Sequence, residues 1–273
     1  MKQLQARGIC LPWLQRGFTL VELALVLLIV SLLLAGTLMP LSIQRELRSY
    51  ADTKRTMDQI NEALTGFALV NGRLPCPASG SAANGALGAG TELLSGNVCT
   101  SYTGVIPWVT LSVPETDEWG GRFTYRVTAI FAHAIAGATY ACTPPINPTL
   151  ASFALCASGD IQVQSRTPAP AKALYPLTSS TLPAVFISHG KNGNGAYRTN
   201  GVQIPVPPAA NADELINATA ATIAFISREK QDVSSPCNDA PGSPGTMCEF
   251  DDLVAYLPLA TLMNRMVVSG KLP

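Results

Sequence analysis

A few side chains carry most of the chemistry this chain could do. Residues 18–41 read FTLVELALVLLIVSLLLAGTLMPL and contain one charge, Glu22. Seating a carboxylate in hydrocarbon costs about 2.5–3.5 kcal/mol on insertion scales, so an acid there is a functional residue in need of a partner. Arg16-Gly17 stands directly before the run. Near the C-terminus Asp239, Glu249, Asp251 and Asp252 gather around the last cysteine. Hard oxygen donors at that density could hold Ca²⁺. They follow no recognised ligand spacing, and an acidic helix start explains Asp251-Asp252 equally well. His133 and His189 are the only histidines, which excludes a multi-histidine metal centre. His133 sits in an apolar run and reads as a packed residue, and His189 precedes a Gly/Asn-rich turn and reads as a loop residue. No Gly-x-Ser-x-Gly elbow accompanies either, so the chain is not expected to be an enzyme.

Cysteine is the other reactive type, at positions 10, 76, 99, 142, 156, 237 and 248. No Cys-x-x-Cys spacing marks a zinc site. The six after Cys10 allow 15 pairings. The expected ones are the short-range couples Cys76–Cys99, Cys142–Cys156 and Cys237–Cys248. Each encloses a Pro- or Gly-rich stretch with little apolar content to hold it by packing. Disulfides point to an oxidising compartment.

The elements that would position these groups are legible in outline. About 20 apolar residues span a bilayer as a helix, so residues 18–41 are a transmembrane candidate. Lys2, Arg7 and Arg16 precede the run with no acid among them, while mixed charges follow it. The positive-inside rule therefore leaves the N-terminus in the cytoplasm. A secretory signal cut near Ala35-Gly36-Thr37 and a plain signal anchor are the alternatives. Beyond the run, Leu47, Tyr50, Met57, Ile60, Leu64 and Phe67 recur at helical steps, with a polar interruption near Thr53-Lys54. The opposite face carries Arg48, Asp52, Arg55, Asp58 and Glu62. Asn71-Gly72 is the expected stop. Later segments alternate short β-like runs (122–130, 161–165, 184–188, 222–227) with Pro/Gly/Ser/Asn loops. A short helix is expected at 251–257 or 259–268. This order gives an α+β fold, a long N-terminal helix laid on an antiparallel sheet with disulfide-stapled loops.

Arg16-Gly17-Phe18-Thr19-Leu20-Val21-Glu22, followed by the apolar run, resembles the N-terminus of type IV pilins and type II secretion pseudopilins. The resemblance implies that a prepilin peptidase cuts between Gly17 and Phe18 and N-methylates Phe18. It also implies that Glu22 pairs with the new amine of a neighbouring subunit in a filament. An intrachain contact four residues apart is equally open. The implied layout is a leader at 1–17, a transmembrane half-helix at 18–41, an amphipathic half at 42–70 and a periplasmic domain at 71–273. Cys10 then leaves with the leader, so an even number of cysteines is exported. Residues 117–125, Asp-Glu-Trp-Gly-Gly-Arg-Phe-Thr-Tyr, resemble the Asp-Pro-Trp-Gly turn of major pseudopilins. Residues 187–193, around Ser188-His189-Gly190, resemble their Ser-x-Gly-x-Asp-Gly loop. Some of those relatives bind calcium in a C-terminal loop; otherwise no cofactor is implied.

The resemblance implies a structural subunit, a minor pilin or pseudopilin, held in the bacterial inner membrane and then in the filament. Its partners would be the peptidase, other pilin subunits, the inner-membrane assembly platform and lipid. A pilus-borne binding module, an adhesin or uptake pilin, is the alternative on the same scaffold. Nucleic acid is disfavoured: the chain has 18 Lys+Arg and 18 Asp+Glu, and loses three basic residues with the leader.

Overall fold

The computed structural model describes residues 19–134, 150–179, 181–219, 223–232 and 236–272, with the side chains of 34–42 outside the description. The leader, Gly17 and Phe18 lie outside it, as does Cys142. Two units divide the chain, residues 1–48 and 49–273.

Helix α1 runs Leu20–Asn71. Its stop has a steric cause. Gly72 takes φ +68, and a Cβ there would collide with the Leu150 carbonyl oxygen. The Gly72 N–H donates to Ala68 O at 2.8 Å, which closes the last turn of the helix.

In the second unit, Met57, Ile60, Leu64 and Ala68 form the buried stripe of α1, with Tyr50 and Phe67 at its margins. Leu47, expected on that stripe, is instead exposed. The polar interruption is a docking point: Thr53 is fully buried, and its Oγ1 accepts from the Glu118 N–H at 3.3 Å.

The stripe packs on an antiparallel sheet of order β3-β4-β7-β9, formed by Thr103–Val105, Thr124–Val127, Ala184–Ser188 and Leu253–Leu257. A hairpin, β1 (Leu94–Ser95) with β2 (Val98–Cys99), stands apart. Every residue of β7 is buried, because both of its faces are covered. Ala184 and Phe186 join the helix-side core. Val185 and Ile187 meet Ile161, Val163 and Phe225 on the other side. That explains why β7 reads as an unbroken apolar run rather than an alternation.

The layer beyond is a second sheet of order β6-β5-β8, formed by Leu174–Pro176, Gln162–Arg166 and Ala224–Ile226. It departs from the antiparallel expectation, since β5 and β8 run parallel. Helix α4 (Ala212–Thr219) lies between those strands in sequence. Short helices α2 (Trp108–Leu111) and α3 (Ala129–Ala132) border the first sheet in the chain.

Of the two expected positions for a C-terminal helix, 259–268 is helical, as α5 (Leu259–Val268), while 251–257 gives strand β9. Pairing with β7 from Ala184↔Leu257 to Ser188↔Leu253 decides that. Pro258 separates the two elements and caps the helix start.

Disulfides Cys76–Cys99 and Cys237–Cys248 close loops of 23 and 11 residues. Cross-links of this kind contribute about 3 kcal/mol in the chain-entropy view. Cys156 is also disulfide-bonded, and its expected partner Cys142 lies outside the described residues.

Candidate functional site

The C-terminal acids divide into two sets. Glu214 of α4, Asp251 and Asp252 each place a carboxylate oxygen within 4.8 Å of the others, all three residues being buried. Asp239 belongs elsewhere. Its carboxylate lies 3.5 Å from Arg228 Nη2, beside Asp213, which binds both Arg166 (2.6 Å) and Arg228 (2.8 Å). There, two buried guanidiniums face two buried carboxylates, the arrangement that makes burial of charge tolerable. Glu249 is half-buried and acts on Asp251 through its charge.

The triad is held mainly by amides. Asn192 Nδ2 (2.9 Å), Asn194 Nδ2 (3.1 Å), Asn211 Nδ2 (2.9 Å) and the Asp251 N–H (3.1 Å) donate to Glu214. The Asn192 N–H donates to Asp251 Oδ2 at 2.9 Å, and Asn217 Nδ2 donates to Asp252 Oδ2 at 2.8 Å. Burial drives the Asp251 carboxyl up to about 7, with the charges of Glu214, Asp252 and Glu249 adding to it against the Asn192 N–H. Burial likewise raises Glu214, helped by the Asp252 charge.

The loop around residues 189–194 packs tightly over the triad. Gly190 has φ +58, and a Cβ there would strike Asp251. His189, expected in a loop, is fully buried; its Nε2 lies 2.8 Å from Thr124 Oγ1. His133, expected to be packed, is only half-buried and meets the Tyr102 hydroxyl at 2.9 Å.

The turn at 117–121 is organised by Asp117. Its Oδ1 accepts from the Trp119 (3.0 Å) and Gly121 (2.8 Å) N–H groups. Its Oδ2 accepts from Ser188 Oγ at 2.6 Å, which links the turn to the end of β7. Next to it, fully buried Arg122 pairs with Glu115 at 2.6 Å and caps the Gly80 and Ala82 carbonyls.

At the other end of the chain, Glu22 lies in the first turn of α1. The Thr19 N–H and hydroxyl both donate to Glu22 Oε2 at 3.0 Å, and the Glu22 N–H donates to Thr19 Oγ1 at 3.2 Å. This reciprocal pair is a capping box. The Thr-x-x-Glu spacing is its signal in the sequence, a role for Glu22 besides the charge pairing that the resemblance implies. The following apolar side chains are exposed, from Leu20 to Leu33. Among the described residues no helix is long and apolar enough to cross a membrane. The expected span at 18–41 includes Phe18 and the side chains of 34–41, which lie outside the description.

A family model for the prokaryotic N-terminal methylation motif matches residues 14–38. The chain carries this motif. The methylation motif is the hallmark of type IV pilin and pseudopilin prepilin-type signals, and it indicates a pilin-like precursor that prepilin peptidase processes. It further implies assembly with other pilin subunits, and its family is structural rather than enzymatic. No curated protein and no solved structure matches the chain.

Proposed function

We propose that the chain is a minor pilin or pseudopilin, cut between Gly17 and Phe18 and N-methylated on Phe18. In this reading residues 18–41 anchor it in the bacterial inner membrane with the N-terminus cytoplasmic. The remainder is periplasmic until the subunit enters a thin filament. One observation carries the proposal: the methylation motif at 14–38 leads into a single helix, Leu20–Asn71. The far half of that helix is the core stripe of a disulfide-bonded domain.

Minor rather than major status is supported by the bulk of the exported part, some 200 residues rich in loops. The disulfides support an oxidising destination. Glu22 would neutralise the amine that cleavage creates, since two opposite charges in a low dielectric stabilise each other strongly when well placed.

Intact mass and N-terminal sequencing of the membrane form test the assignment. The expected chain begins at N-methyl-Phe18 and has no free thiol. A start at Met1, or just after Ala35–Thr37, would reject it.

A further inference from the structure

The parallel strands β5 and β8 place Gln162 opposite Ala224 and Gln164 opposite Ile226. Carried two residues further, that register sets Arg166 beside Arg228 where the chain leaves the sheet. Crevices beyond the carboxyl ends of parallel strands are common ligand sites. A cavity of about 470 Å³ opens there, within the size range of small-molecule sites. Both arginines, Glu229, Gln231, Met247 and Tyr175 of the edge strand β6 help to wall it. Its polar side chains are fixed in advance. Arg166 is held by Asp213 at 2.6 Å and by Lys172 O at 2.8 Å. Arg228 is held by Asp213 at 2.8 Å, Cys248 O at 2.9 Å and Gln231 Oε1 at 3.2 Å, and its guanidinium lies 4.6 Å from the Phe250 ring. The loop after Arg166 is pinned as well: buried Lys172, at φ +47, donates its Nζ to Asn238 O and Ser243 Oγ.

We infer that this cavity binds a neutral pyranose sugar, with the Tyr175 ring against a C–H face of the sugar and Arg166, Arg228, Glu229 and Gln231 on its hydroxyls. Charge around the cavity is balanced, which disfavours an ionic ligand. Arg166 and Arg228 face Asp213 and Asp239, and Lys172 and Glu229 add one charge of each sign. An anion would have to compete with Asp213 for the guanidiniums. A wholly apolar ligand would cover polar groups without matching them, which is costly. Sugar hydroxyls both donate and accept, and the walls offer both: guanidinium donors, the Glu229 carboxylate as acceptor, and the Gln231 amide as either. A guanidinium carries five N–H groups, and the bonds of Arg166 to Asp213 and Lys172 leave N–H groups on Nη1 and Nη2 for a ligand. Tyr175 supplies the apolar half of the match. It is 43% exposed, large for a tyrosine on a strand, and the negative face of its ring suits the C–H hydrogens of a sugar. The site uses no residue of α1 or of the methylation motif, so it stands apart from the processing of the chain.

The test uses the full chain in a detergent without a sugar headgroup. Methyl glycosides of glucose, galactose, mannose and N-acetylglucosamine are titrated separately, with galacturonate and glucosamine as charged controls, and binding is followed by saturation-transfer NMR. The expected result is saturable binding of at least one neutral glycoside, tighter than either charged sugar, with transfer strongest to the hydrogens of one ring face. Tyr175→Ala should weaken it about tenfold, and Tyr175→Phe, which keeps the ring, should not. In the unsubstituted chain the bound glycoside should slow nitration of Tyr175, read by peptide mass, which locates the site even if a variant fails to fold. Absence of saturable binding by all four neutral glycosides, binding of a charged sugar alone, or binding that leaves Tyr175 nitration unchanged would each overturn the inference.

Discussion

Glu22 has two possible employments, and they separate by substitution. Within its own chain the carboxylate closes a capping box with Thr19, which satisfies a donor at the helix start. In a filament it would carry the charge that matches a cleaved amine. Glu22→Gln keeps an oxygen for the Thr19 N–H and removes the charge; Glu22→Ala removes both. If charge pairing governs assembly, both variants are processed normally and both are poorly incorporated, as scored by filament fractionation. Normal incorporation of Glu22→Gln would leave the cap as the role of this residue. His189 teaches the complementary lesson. Its neighbours in sequence are turn formers, yet Thr124 and Asp252, 65 and 63 positions away, bury it.

Between elements, the link from the end of α1 to the β1–β2 hairpin rests on charge as well as on the Cys76–Cys99 bond. Arg73 grips Glu92 with two hydrogen bonds of 2.7 Å, and the Cys76 N–H adds a third at 3.0 Å. Burial works to raise the Glu92 carboxyl, but these donors and the Arg73 charge outweigh it and hold the group below its ordinary value. A depressed carboxylate stabilises the fold above the ordinary glutamate value. That stability drains away as the pH falls through the lower folded value. Glu92→Gln should therefore cost about 1.5–3 kcal/mol at neutral pH, the range for hydrogen bonds to charged groups. The gap to the parent should close in denaturation curves taken below the ordinary glutamate range. A gap independent of pH would assign the loss to packing. At the same scale, β9 shows how pairing overrides local preference. Residues 251–257 carry an acidic helix-start signal, but the β7 edge offers five partners in register, and Leu253 and Leu257 are buried there.

For the molecule as a whole, residues 49–273 form a compact unit of their own, containing the described cores and both described disulfides. A fragment starting at Ser49 should fold without the apolar half of α1. It should melt cooperatively by circular dichroism and show no free thiol. A non-cooperative melt would mean that the first unit is needed for the second to fold. The sequence by itself determined what depends on near neighbours: the methylation motif, the glycine that ends α1, the apolar run that becomes β7, and the two cysteine couples seen joined. These signals are local because the left-handed backbone turn at Gly72 and short loop closures act over a few residues or a few turns. The tertiary structure alone decided the parallel β5–β8 pair, the parting of Asp239 from Asp251 and Asp252, the gathering of Glu214 from α4 with those two acids at the entry to β9, and the meeting of His189 with Asp252. Those side chains come from segments 25 to 63 residues apart, and only the order and register of the strands brings them together.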